Sequence, residues 1–428
     1  MNKRLTLLCF TVVVLVFAKG QDAVFAQQEN TVLNDLIEQA LLNNPQARSA
    51  YHRWAASEHK IKNVKGLPDP QVSYGYFGSN VETRVGPQKQ KFGVDQKIPF
   101  PGKLRAKGKA QSKEAQINKE KYQAVKNKIV KDVKLAFYDL YWLDKALEVN
   151  KEEKSILGDL QKAAARKYES NLTSQQNVVK LQVELSKNYE RFSLIEQSRK
   201  SVVAKINRLV NREPNASIDV ISQIKKQEFS YELDKLIKNA QERSSDIAAA
   251  DLAVEKVEVE ESLAKMEYLP DFMFGYEYIE VEDGKTSAFD DGRDAWIGKV
   301  SVNIPIWLGK IRSKVKVKQE EAEAAKLERE STERDVVYQV QDLYFKILSY
   351  KEIVSLYENA LVPQAWQVFE SFRTGFETGS ASFLDLLDAQ RTYLQTRLAY
   401  YKTVADYQKS IAYLEQVVGA QLGEGNEK

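Results

Sequence analysis

The chain is written twice. "LPDPQVSYGYF" from Leu67 answers to "LPDFMFGYEYI" from Leu269, and "IPFPGKLR" from Ile98 answers to "IPIWLGKIR" from Ile304. "YESNLTSQQNVVKLQ" from Tyr168 answers to "FETGSASFLDLLDAQ" from Phe376, and "LNDLIEQAL" from Leu33 is echoed by "LDKLIKNAQ" from Leu233. The period is about two hundred residues, and the echoes keep one order. Each copy therefore reads as an entry region, with helices in the first copy and one helix in the second, then a strand pair and two long helices. The first repeat is expected over residues 27–215, with a β-hairpin at about 70–100 and a helical hairpin at about 103–211. The second is expected over 216–428, with a β-hairpin at about 270–306, a helical hairpin at about 309–419 and a short polar tail.

The strand pairs alternate in period two. Phe272, Phe274, Tyr276 and Tyr278 alternate with Met273, Gly275 and Glu277; after an acidic loop, Trp296, Gly298, Val300, Val302 and Ile304 alternate with Ile297, Lys299, Ser301 and Asn303. In the first copy Val72, Tyr74 and Tyr76 lead out and Phe92, Val94 and Ile98 lead back, with Asp95 and Lys97 on the other face. One face is apolar and aromatic, the other polar, which suits strands between lipid and water. A soluble sandwich would alternate in the same way.

The long helices separate these alternatives. Residues 102–168 and 309–374 hold little that breaks a helix apart from Pro363, and sixty to seventy helical residues would extend about 100 Å. The return segments repeat every seven residues. Leu386, Tyr393, Tyr400, Tyr407 and Leu414 form one series and Phe383, Gln390, Arg397, Val404, Ile411 and Val418 another; the first copy has Val178, Leu185, Phe192, Arg199 and Ile206 beside Leu181, Ile195, Val202 and Leu209. This is the pattern of antiparallel coiled-coil packing. Four membrane strands cannot close a barrel alone, and open edges in lipid strand unpaired backbone groups. Copies of the chain must share one barrel; three copies would give twelve strands, enough to leave a pore.

The N-terminus supports export. Lys3 and Arg4 precede an apolar run, Leu5–Ala18, too short to span a bilayer, and "AVFAQQ" follows, so a signal peptide over residues 1–26 is expected. The only cysteine, Cys9, would leave with it, so the mature chain has no disulfide or thiol chemistry. Losing three basic residues and one acidic residue brings the net charge from +3 to about +1. That balance argues against nucleic acid, which needs a concentrated basic excess. There is no phosphate loop, no histidine cluster and no G-x-S-x-G among the residues. An enzyme is not expected, nor a cofactor. "DDGRD" (Asp290–Asp294) lacks the spaced ligands of a calcium loop, and His52 and His59 lack a third metal ligand nearby.

The chain resembles the TolC-type outer-membrane efflux proteins along essentially its whole mature length. The carriers are "LNDLIEQALLNNPQARSA", "GLPDPQVSYGY", "QKIPFPGKLRAKGKAQ", "SVNIPIWLGKIRSKV" and "FLDLLDAQRTYL". The resemblance implies an α+β membrane protein of the outer membrane of a Gram-negative bacterium. Long antiparallel helices would form an α-barrel in the periplasm, and four strands per chain would enter a shared twelve-stranded transmembrane β-barrel. It implies a homotrimer that docks a periplasmic adaptor at the helix tips and joins an inner-membrane pump, with the resistance–nodulation–division type favoured by "LPDP" and "IPFPGK". A periplasmic coiled-coil adaptor or scaffold without a pore would also explain the helices, though not the two matching strand pairs.

The resemblance places "LDLLDAQ" at the periplasmic entrance, where rings of aspartates narrow the duct. Asp385 and Asp388 stand three apart and share a helix face; a ring of such carboxylates would favour entering cations. Both acids equally suit a helix N-terminus. The family's polar locks use a Tyr and an Arg, and the matching positions here are Phe376 and Ala381, which cannot make that bond. The facing tip carries Gln176 and Asn177.

Overall fold

A computed structural model describes residues 32–170, 174–224, 226–284 and 289–422. The expected signal peptide, with its expected cleavage after Ala26, and the end of the polar tail lie outside them. The elements run α1 (32–43), α2 (Pro45–Lys65), β1 (Gln71–Thr83), β2 (Gly86–Ile98), α3 (Lys103–Glu169), α4 (Gln175–Val210), α5 (Leu233–Arg243), α6 (Ser245–Lys265), β3 (Asp271–Val281), β4 (Ala295–Asn303), α7 (Leu308–Leu356), α8 (Val362–Thr378) and α9 (Phe383–Val418). The second copy opens on two helices, like the first. Two compact units cut across the repeats: one joins the segment up to residue 50 with 122–245 and 334 onward, the other joins Tyr51–Lys121 with Asp246–Glu333. Each unit thus draws corresponding pieces from both copies.

In the unit holding the strands, all four form one antiparallel sheet in the order β1-β2-β3-β4. The register lines up Tyr74, Phe92, Tyr278 and Trp296 in one cross-strand row and Val72, Val94 and Tyr276 in the next, with Phe274 opposite Val300. These side chains are all exposed. Because side chains alternate between faces, the reverse face carries Lys91, Asp95, Glu277, Lys299 and Ser301. Among the described residues β1 and β4 end the sheet, each with an edge that no other strand pairs.

The hairpin turns are fastened by side chains. Gly86 has φ +124°, and a Cβ there would stand 2.0 Å from the Glu282 carbonyl oxygen, so the turn requires glycine. Arg84 on this turn pairs with Asp290. Asp294 accepts the Val281 N–H at 2.9 Å and the Tyr278 hydroxyl. Asp290 therefore ties its loop to the β1–β2 turn, and Asp294 ties it to β3.

In the other unit the seven-step series are the core. Leu386, Tyr393, Tyr407 and Leu414 are buried, as are Phe383, Gln390, Val404, Ile411 and Val418. On α4 the buried positions Leu181 and Leu209 keep the same spacing with a polar residue between them, Asn188. Asn188 donates to the Asn150 carbonyl at 3.0 Å, and Asn150 donates back to the Asn188 carbonyl at 3.3 Å. A paired polar residue at a core position favours one helix register over its neighbours. Between α7 and α8 the helix widens to a π turn, Tyr357–Leu361, just ahead of Pro363. Proline lacks an N–H and crowds the preceding turn, which the wider turn accommodates.

The linker after α4 is strapped down by helix side chains. Asn207 donates to the carbonyls of Pro214 (3.0 Å) and Ala216 (2.8 Å), and Arg199 donates to that of Ile218 at 3.2 Å. Asp144 accepts the Ile221 N–H at 2.9 Å, and the Tyr407 hydroxyl donates to the Gln227 carbonyl at 2.8 Å.

Candidate functional site

The α8–α9 turn is built from a left-handed glycine and a serine cap. Gly379 has φ +84°, and the N–H groups of Ser380 and Ala381 donate to the Gly375 carbonyl at 2.8 and 3.0 Å, closing α8. Ser382 then starts α9: its hydroxyl accepts the Asp385 N–H at 3.2 Å and donates to the Asp385 carboxylate at 2.7 Å. Asp385 thus supplies the N–H that the Ser382 cap accepts, and its carboxylate in turn takes the Ser382 hydroxyl. Asp388, one turn on, has no ion-pair partner among the described residues. Both acids are exposed, while Phe383, Leu386, Leu387 and Gln390 turn inward. The carboxylates sit on the solvent side of the helix, away from its apolar seam.

The remaining expected tip residues divide between core and surface. Phe376 is buried; its ring lies 6.0 Å from that of Phe383, and the Lys167 ammonium sits 4.1 Å above it. Lys167 also donates to the Phe376 carbonyl. Ala381 is half-buried within the turn. Gln176 is exposed and Asn177 half-buried in the first turn of α4, where the Asn177 N–H donates to the Ser174 carbonyl at 3.1 Å. One hydrophobic cluster joins the two tips: Leu160 and Ala164 from α3, Leu181 from α4, Phe376 from α8, and Phe383 and Leu386 from α9.

Charged ties between the hairpins were not anticipated from the sequence. Arg391 of α9 reaches Glu184 of α4 at 3.4 Å, and Glu184 also takes Lys187 at 3.1 Å. Higher on α9, Arg397 pairs with Glu152 of α3 and lies over the Tyr393 ring. Burial works against the Arg397 charge, but hydrogen bonds to Glu152 and Tyr401 outweigh it and hold the guanidinium above its ordinary range. Burial likewise pushes the Tyr393 hydroxyl up. A tie of the same chemistry lies within the first hairpin, where Arg199 of α4 meets the buried Asp144 of α3 at 2.5 Å. A signal existed, because Arg199 and Arg397 each hold the one charged position in a seven-step series, and an arginine drawn towards a core calls for a carboxylate.

Beside these ties lies a groove of about 630 Å³ between α3 and α8, with Trp366, Phe369 and Phe376 on its floor and Glu152, Arg166 and Arg373 around it. Phe369 stacks on Tyr393 with ring centroids 5.8 Å apart. Among the described residues, no group of three or more His, Cys, Asp or Glu stands together as a metal site. No helix there is long and apolar enough to cross a membrane.

Comparison with known proteins agrees across nearly all of this architecture. The model of the outer membrane efflux protein family matches residues 36–212 and 236–420. The outer membrane protein TolC of Vibrio cholerae is 22% identical over 399 residues, covering 90% of each chain. The cobalt-zinc-cadmium resistance protein CzcC of Cupriavidus metallidurans is 32% identical over 62 residues, 14% of this chain and 15% of CzcC. The structure of the outer-membrane channel OprN superposes with a TM-score of 0.79 at 15% identity, over 92% of this chain and 91% of that one.

Proposed function

The chain belongs to the outer membrane efflux protein family, and from that premise we propose how its parts make a duct. Its work is transport across the outer membrane, with its long helices on the periplasmic side, and it is not an enzyme. Outer membrane factors of the TolC type act as trimers with an adaptor and an inner-membrane pump. Three copies of this four-stranded sheet make one twelve-stranded barrel, joined edge to edge through β1 and β4. The exposed row Tyr74, Phe92, Tyr278 and Trp296 faces lipid, and the face carrying Lys91, Asp95, Glu277 and Lys299 faces the lumen.

The observation that carries the gate is the exposure of Asp385 and Asp388 on one face of α9 beside the turn. Three copies bring six carboxylates towards one axis and form an entrance that favours cations. The tip is held shut by its apolar cluster together with Arg391–Glu184 and the contact of Lys167 with the Phe376 carbonyl. These take the place of the missing Tyr/Arg lock. The adaptor docks its helices near the tips, along the aromatic groove of α3 and α8. The short likeness to CzcC supports a pump that exports metal cations, and a strain lacking the protein should then lose tolerance to cobalt, zinc or cadmium.

Purified mature protein in planar bilayers tests the duct. Small cation-selective currents are expected, blocked by a multivalent cation added on the side of the helix tips. The Asp385→Ala/Asp388→Ala variant should lose the block. Currents indifferent to that change would move the constriction elsewhere, and a folded protein that passes no current would favour the scaffold.

A further inference from the structure

The charged face of the sheet holds an arrangement that a duct as such does not require. Lys91, Asp95, Glu277 and Lys299 come from β2, β3 and β4, and each lies across a glycine. Lys91 is opposite Gly75, with its Cγ and Cε 3.1 Å from the place a Gly75 Cβ would take. Glu277 is opposite Gly93, where a Cβ would meet Ser73 Oγ at 2.5 Å and Glu277 Cγ at 3.2 Å. Gly275 stands between Asp95 and Lys299, and a Cβ there would meet Asp95 Oδ1 at 2.2 Å and Lys299 Cε at 3.2 Å. A side chain at Gly275 would displace the Asp95 carboxylate, and one at Gly75 or Gly93 would press on its neighbour.

With glycine in all three places the long side chains lie flat and meet. Lys299 Nζ is 2.5 Å from Glu277 Oε1 and 3.8 Å from Asp95 Oδ1, and Lys91 Nζ is 3.9 Å from the same Glu277 oxygen. Two ammonium groups and two carboxylates thus form one string with no net charge. Opposite charges this close largely cancel each other's field at a distance.

We infer that Gly75, Gly93 and Gly275 set the width and the charge neutrality of the channel at this level: they seat Lys91, Asp95, Glu277 and Lys299 as a neutral belt flat against the lumen wall. The barrel stays wide at this level and shows no preference for the sign of a solute's charge, which leaves charge selection to the helix tips. The inference rests on the reading that this face lines the lumen.

The test uses the full mature chain in planar bilayers under a KCl gradient, in the Asp385→Ala/Asp388→Ala background that lacks the tip carboxylates. That background should reverse near zero potential. Adding Lys299→Met leaves Asp95 and Glu277 short of a partner, and the potassium-to-chloride permeability ratio should rise about twofold or more. Asp95→Asn should move the ratio the other way, and Gly275→Val should lower conductance in assembled oligomers. The two charge variants keep the glycines, so they decide the matter even where Gly275→Val fails to assemble. Reversal potentials unmoved by both charge variants would overturn the belt and leave the duct standing. A folded wild type without current would overturn both.

Discussion

Two aspartates one turn apart do different work at the helix tip. Asp385 meets the Ser382 hydroxyl through both its N–H and its carboxylate, whereas Asp388 stands exposed with no ion-pair partner among the described residues. Ser382→Ala should cost about 1 kcal/mol of local helix stability, read as faster amide exchange over residues 383–387, while Asp388→Ala should leave that exchange unchanged. Asp388→Ala should also raise ion flux only modestly, because the apolar cluster and Arg391–Glu184 still hold the tip. Glu184→Gln keeps the shape and removes the partner of both Arg391 and Lys187, so single-channel open time should increase more than for Asp388→Ala. Equal effects would mean that the charged tie contributes nothing to closure. The acids were legible in the sequence because a carboxylate pair beside a turn is conspicuous. Arg391–Glu184 was not, because its partners lie far apart in the chain and meet only when α9 packs on α4.

The linker between the repeats behaves as a strap whose hold depends on a few buried polar groups. Asp144 has a side chain 1% exposed and serves two partners, the Arg199 guanidinium and the Ile221 N–H. Removing it would leave a charge and a donor unpaired, and Asp144→Ala should lose about 3 kcal/mol. Urea unfolding measures the loss, and amide exchange near Ile221 should localise it. Asp144→Asn should recover part of the loss by still accepting one hydrogen bond. At this scale the periodicities were readable, since a period of seven or of two survives any change of partner. The strap was not, because it has no period and is held by residues of α3, α4 and α9 that the linker sequence does not announce.

For the whole molecule, the decisive property is which face of the sheet meets lipid. Val300 and Ser301 are neighbours on opposite faces of β4. Val300→Arg at the middle of the apolar band should destabilise the assembled barrel by about 2–4 kcal/mol, and Ser301→Arg should cost far less. The yield of oligomer recovered from outer membranes distinguishes them; equal losses would place water or lipid on both faces. Light scattering in detergent should return the mass of three chains. The apolar and polar faces could be assigned from the alternation alone. That β2 pairs with β3 across the repeat boundary, forming one sheet rather than two hairpins, required the structure.

By itself the sequence determined the two-fold repeat, the period-two alternation and the seven-step series, because those depend on local spacing and on chemistry visible along the chain. Tertiary structure decided the rest: the compact units that mix both repeats, the inward turn of Phe376, the pairing of Arg391, Arg397 and Arg199 with distant carboxylates, and the glycine seats under the charges of the sheet. The physical reason is the same in each case. A buried charge or a missing Cβ acquires its meaning from the atom opposite, and that atom comes from a different strand or helix.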